Sequence, residues 1–175
     1  MVKQLSLEKN NMFKLKSLSK EGITAALEKA ERYRLLNEPG EAESICRDVL
    51  QIDPERQTAI VMLLLSLTDQ FDTGITEAQG RELLPRLRDE YERAYYAGII
   101  CERWAKAQLN HGGPGSGFIA YDWFSDAMSW YEKAEAIRPP GNDDAILRWN
   151  TCARILMRNP HLKPGPEERS LNILE

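Results

Sequence analysis

The chain has 175 residues, a formal net charge of −4 and an isoelectric point of about 5.4, with 42% hydrophobic and 29% charged residues. That length suits one globular domain able to bury roughly 70% of its unfolded surface, and the mild acidity excludes nucleic-acid binding by general basicity. Three cysteines, an odd number, exclude a simple disulfide framework.

In chain order, Lys3, Lys9, Lys14, Lys16 and Lys20 outnumber Glu8 and Glu21. Residues 1–18 therefore read as a basic arm, solvated and partly disordered rather than built to hold an anion. The opening residues hold no continuous apolar core, so no secretory leader is expected. The longest apolar run, 59–65, falls well short of the ~20 residues that span a bilayer, and the expected address is cytoplasmic.

A helical domain is expected over 19–158, followed by a loose tail, 159–175, with an apolar end at 171–174. Ile23, Ala26, Leu27, Ala30 and Tyr33 follow helical spacing and predict a first helix from near Ser19 to Leu36. Pro39-Gly40 predicts a turn, and Glu41 to Ile52 a second helix stopped by Asp53-Pro54. The third runs from about Glu55 to Phe71, broken by Asp72-Thr73-Gly74. Thr76 with Glu77 caps a fourth reaching about Arg88. Glu90 to Leu109 form a long fifth helix after Asp89. Its interior Gly98 costs ~1 kcal/mol relative to Ala, which implies a close helix contact there. Residues 110–117, rich in glycine, read as a flexible inserted loop. A sixth helix is expected over Ile119 to Ile137, and a seventh over Asp144 to Met157, capped by Asn142 or Asp143.

One spaced pattern occurs twice. Ala42, Cys46, Val49, Ile52 and Pro54 recur at the same intervals as Ala127, Tyr131, Ala134, Ile137 and Pro139. With Ala30 and Tyr33 upstream of the first copy, and Gly98 and Cys101 upstream of the second, the chain resembles the tetratricopeptide repeat family, whose unit is a helix pair of about 34 residues. The first unit, Ile23 to Arg56, is the closest match. The unit between the copies is irregular at Arg81 to Pro85, and Gly98 to Ala127 spans 17 residues more than Ala30 to Ala42. The resemblance implies an all-α, right-handed superhelical solenoid of about seven helices. It also implies a concave groove, lined by the first helix of each pair, that binds a protein or peptide.

On that expectation the groove is lined by Leu27, Glu31 and Arg34; by Val61, Leu65 and Thr68; by Tyr95, Ile99, Glu102 and Arg103; and by Ile146, Asn150 and Arg154. One subclass of the family grips a C-terminal carboxylate with Lys, Asn and Arg on successive first helices. Here only Asn150 matches, so that mode is disfavoured.

Eleven of the fourteen aromatics fall between Tyr91 and Trp149. Trp123 and Trp130 share one stripe of the sixth helix and are expected to cover the far end of the fifth, near Trp104 and Leu109. The alternative is an exposed aromatic patch for a partner or a second copy of the chain.

The chemistry of catalysis is not in the sequence pattern. The glycine-rich segment lacks the Gly-Lys-Ser/Thr ending and preceding strand of a phosphate loop. His111 and His161 have no Cys or carboxylate at ligand spacing. The expectation is an adaptor or scaffold, not an enzyme, with no catalytic residue, cofactor, metal, nucleic acid or membrane partner. Two alternatives are a ligand-binding or catalytic domain with residues 110–131 as a lid, and a homo-oligomerisation module built on the aromatic helix.

Overall fold

A computed structural model describes residues 13–166. Lys3 and Lys9 of the basic arm and the apolar end at 171–174 lie outside these residues. The described chain holds seven α-helices and no strand: α1 (Ile23–Leu35), α2 (Pro39–Ile52), α3 (Gln57–Thr68), α4 (Glu77–Arg81), α5 (Glu90–His111), α6 (Ser116–Ala136) and α7 (Asp144–Arg158). Single 3-10 turns stand at Lys20–Gly22, Phe71–Thr73 and Leu84–Arg86.

The helix ends follow capping chemistry. Ser19 Oγ accepts from the Gly22 N–H at 3.2 Å, Thr76 and Gln79 form a capping box, and Asp89 accepts from the N–H groups of Tyr91 and Glu92. Three boundaries differ from the sequence expectation. Pro39 is the first residue of α2 and not part of a turn; its missing N–H has no helical partner at that position anyway. The preceding turn is made instead by Asn37 at φ 61°. The fourth helix stops at Arg81, not Arg88, and Pro85 sits in the 3-10 turn that follows.

The third difference is the largest. The expected loop at 110–117 shrinks to residues 112–115, because α5 continues to His111 and α6 begins at Ser116. Most of the added length is helix. The short reversal is possible because Gly112, Gly113 and Gly115 all take positive φ, which disfavours a side chain.

Packing follows chain order. The helix bearing the first copy of the pattern, α2, lies between α1 and α3; the helix bearing the second, α6, lies between α5 and α7. Ala42, Cys46 and Val49 of the first copy and Ala127, Tyr131 and Ala134 of the second are all completely buried. Around them are two main apolar clusters. One joins Ala30, Ala42 and Cys46 to the Ile60–Leu67 face of α3 and to Phe71, Leu83 and Leu87. The other joins Ala120, Phe124, Ala127, Tyr131 and Ala134 to Tyr91, Ile99, Cys101, Ala145 and Cys152. Helix α5 is the wall between them, giving Ile100 and Ala107 to the first and Ala94, Ile99, Cys101 and Ala105 to the second.

The three cysteines are free and buried. Burial pushes the thiols up, Cys46 and Cys152 to about 12 and Cys101 to about 11. The folded state therefore favours the neutral thiol. That contribution is whole below the unfolded-chain value near 9 and is lost as pH rises from there toward 11–12, so alkaline conditions destabilise the fold. Thiol titration of native protein at pH 8 is expected to run about a hundredfold or more slower than in denaturant; equal rates would contradict the buried placement. Among the described residues, no helix is long and apolar enough to cross a membrane.

Candidate functional site

The odd-numbered helices are joined by a chain of polar contacts. Asp69, which follows α3, accepts from Arg34 Nε of α1 at 2.7 Å and from Arg103 Nη1 of α5. The same Arg103 nitrogen donates to Thr68 Oγ1 at 2.7 Å and to the Leu65 carbonyl at 3.4 Å. One residue away on α5, Glu102 is wholly buried. Its Oε1 accepts from Lys106 at 2.5 Å and from Arg148 of α7 at 3.3 Å, and its Oε2 accepts from the Tyr131 hydroxyl of α6 at 2.7 Å. A buried carboxylate needs such partners, because an unpaired charge in the interior is expensive.

The electrostatics of these groups are coupled. Burial pulls Arg103 below the usual arginine value, and Arg34 and Arg148 push it the same way, while Asp69 opposes them. Burial also pulls on Arg148, but Glu102 and the neighbouring Tyr95 and Tyr131 more than offset it, and its value is raised. Burial pushes the Tyr131 hydroxyl up, with the Glu102 charge adding to the effect, so the hydroxyl remains a proton donor. Beside this polar row, Tyr95 stacks on Tyr91 with ring centroids 5.8 Å apart.

Of the residues expected to line a groove, Arg34, Leu65, Thr68, Tyr95, Glu102 and Arg103 are brought together here. Their exposures differ. Thr68, Ile99 and Glu102 are buried, so they support the face from beneath and do not present side chains to a partner. Leu65 and Tyr95 are half-buried, and Glu31 is exposed in a separate crevice with Thr24, Leu27 and Arg56. Asn150 does not join the row; it lies with Glu132, Glu135 and Trp149 between α6 and α7. Arg154 is exposed, outside these contacts.

Asp69, Lys106 and Arg148 were not among the expected groove residues. Lys106 stands i+4 from Glu102, an ion-pair spacing visible in sequence. Arg148 shares the stripe of buried Ala145 and Cys152 at i+3 and i+7. That stripe was the available signal for which face of α7 turns toward α5.

The aromatic helix divides its tryptophans. Both are half-buried. Trp123 carries the Arg81 guanidinium 5.2 Å from its ring centroid, and Trp130 carries Lys133 Nζ at 4.1 Å. Trp104 does not meet them; it packs edge-on against Phe71 at 5.2 Å on the other side of α5. Trp130 lies toward the start of α5, where it lines an open groove of about 580 Å³ with Leu84, Pro85, Ala94, Ala97 and Ile137. Of the segment 110–131 expected as a lid, the loop residues 110–117 do not line that groove, whereas Trp130 does. Among the described residues, no group of three His, Cys, Asp or Glu side chains is placed to hold a metal ion. Set against protein-family models, curated proteins and solved structures, the chain matches none.

Proposed function

We propose that this chain is a tetratricopeptide-like adaptor that binds a protein or peptide on the face shared by α1, α3, α5 and α7. The observation that carries the reading is the polar row Arg34–Asp69–Arg103 and Glu102–Arg148, whose ion pairs link residues on, or just past the end of, the four odd-numbered helices. A repeat solenoid exposes such a face along its length. Two further observations support it. The two pattern-bearing helices bury equivalent residues, and each is sandwiched between its pair mate and the next helix. Rigid aromatic and arginine side chains are also the residue types that anchor interfaces. Binding then works by surface complementarity, without a catalytic group or cofactor, and in the cytoplasm.

Affinity capture from the native cell tests this. A captured protein is expected to be lost with Tyr95→Ala and kept with Ser44→Ala, a change on the exposed side of α2. Capture unaffected by Tyr95→Ala and abolished from the α2 side would overturn the reading.

The groove beside Trp130 favours a second reading, a contact between two copies of the chain through α6. Light scattering is then expected to show a dimer mass for the wild type and a monomer for Trp130→Ala. A monomeric wild type at high concentration would remove it.

A further inference from the structure

The polar row carries more positive than negative charge. Arg34, Arg103, Lys106 and Arg148 share two carboxylates, Asp69 and Glu102. Both carboxylates are already engaged: Asp69 gives one oxygen to each of two arginines, and Glu102 gives one to Lys106 and Arg148 and the other to Tyr131. Two positive charges are thus left over. Glu31, one turn back on α1, pairs with none of them and lies in the crevice with Arg56.

The donors are also only partly used. A guanidinium offers five N–H bonds in a fork that fits a carboxylate. Arg103 makes its contacts to Leu65, Thr68 and Asp69 through Nη1 alone, and Arg148 contacts Glu102 through Nη1 alone. Among the described residues, the remaining N–H groups of Arg103 have no acceptor, while Arg148 has one further side-chain partner, the Tyr95 hydroxyl. No side-chain polar atom there is both buried and unpartnered, so the spare donors face solvent. Side-chain exposures of 19% for Arg34, 22% for Arg103, 34% for Arg148 and 41% for Lys106 describe cations held in place by the fold yet reachable. Fixed, partly desolvated guanidinium groups lose little freedom on binding and form strong bidentate pairs.

We propose that this face takes an acidic polypeptide segment, its side-chain carboxylates seated against Arg34, Arg103 and Arg148 and an apolar or aromatic residue packed on Tyr95. The inference rests on the adaptor reading and names the chemistry of its partner. A peptide fits better than a nucleic acid: duplex binders neutralise many phosphates along an extended basic surface, whereas here an excess of two charges sits on a chain of net charge −4.

The test is a library of random twelve-residue peptides, each displayed between two inert domains so that no free terminus is present, panned on the intact chain. The most enriched peptide is then followed by fluorescence polarisation. Enriched sequences are expected to be rich in Asp and Glu, and exchanging those residues for Asn and Gln should weaken Kd about tenfold or more. Arg148→Gln and Arg34→Gln, each checked for an unchanged melting profile, should weaken it about five- to tenfold and flatten its salt dependence. The peptide-side exchange reads the same interaction whether or not a protein variant folds. Neutral or basic enriched peptides that are still lost with Tyr95→Ala would overturn the acidic preference and leave the adaptor reading standing. Enrichment indifferent to Tyr95→Ala, or none at all, would overturn both. A twelve-residue oligothymidylate that outcompetes the peptide would assign the face to polyanions instead.

Discussion

Glu102→Ala is expected to lower the stability of the fold by about 3 kcal/mol, measured by urea unfolding. The side chain is wholly buried and holds three donors from three helices: Lys106 on its own helix, Tyr131 on α6 and Arg148 on α7. Removing one partner of a buried ion pair costs about 3–5 kcal/mol. The lower part of that range applies, since Arg148 and Lys106 are 34% and 41% exposed and regain water when released. The Tyr131 hydroxyl cannot do so, and a buried donor left without an acceptor accounts for about 1–3 kcal/mol of the loss. Tyr131→Phe alone should be milder, about 1 kcal/mol, and the double variant should show coupling of at least about 0.5 kcal/mol. A Glu102→Ala protein within 0.5 kcal/mol of wild type would mean that the carboxylate does not organise the junction.

Gly98 is the second sensitive position. A Cβ built there would stand 2.4 Å from Tyr131 Cε1 and 2.6 Å from Cδ1, well inside contact distance. The ring is fully buried and its hydroxyl is tied to Glu102, so it has nowhere to retreat. Overpacking of this kind costs about 1–3 kcal/mol or more, against which alanine returns at most ~1 kcal/mol of helix propensity. Gly98→Ala is therefore expected to destabilise by about 2 kcal/mol, and Gly98→Val by more. The first unit shows why. There the small residue is Ala30 and the residue aligned with Tyr131 is Cys46, both completely buried in one cluster. A larger residue on one helix of the pair goes with a smaller one on the other. Tyr131→Cys is itself destabilising, since it empties a buried site and removes the hydrogen bond to Glu102, but Gly98→Ala should cost less in that background than in the wild type; a purely additive double variant would show that the two positions do not compete for the same space.

That exchange was half legible. Gly98 in a helix interior signals close approach, and the repeated spacing identifies the buried faces of α2 and α6, since a helical period and a terminal proline are local signals. Seven helices follow from the same signals. The break after Arg81 is not legible in the sequence, because Gly80, Leu83 and Leu87 are buried through contacts distant in sequence. Nor is the extension of α5 and α6 toward each other: the glycines at 112–115 look like a loop of any length, and only the long apolar contact between the two helices draws the flanking residues into helix. The charged row was half visible. Arg34 and Arg103 lie on the expected faces, but Asp69 stands past a helix end, and Arg148 is set by the rotation of α7, whose expected groove face carries Ile146, Asn150 and Arg154 instead. Pairing across 34 to 46 residues of sequence is fixed by the tertiary fold, not by local pattern.

Site-specific photo-cross-linking in the native cell tests the central proposal most directly, because it requires no prior identity for the partner. A benzoylphenylalanine at Tyr95 probes the odd-helix face, one at Ser44 the exposed side of α2, and one at Trp130 the groove on α6. The adaptor proposal predicts a discrete protein adduct from position 95, absent from 44 and weakened by Arg148→Gln. Discrete adducts from 44 or 130 with none from 95 would contradict it.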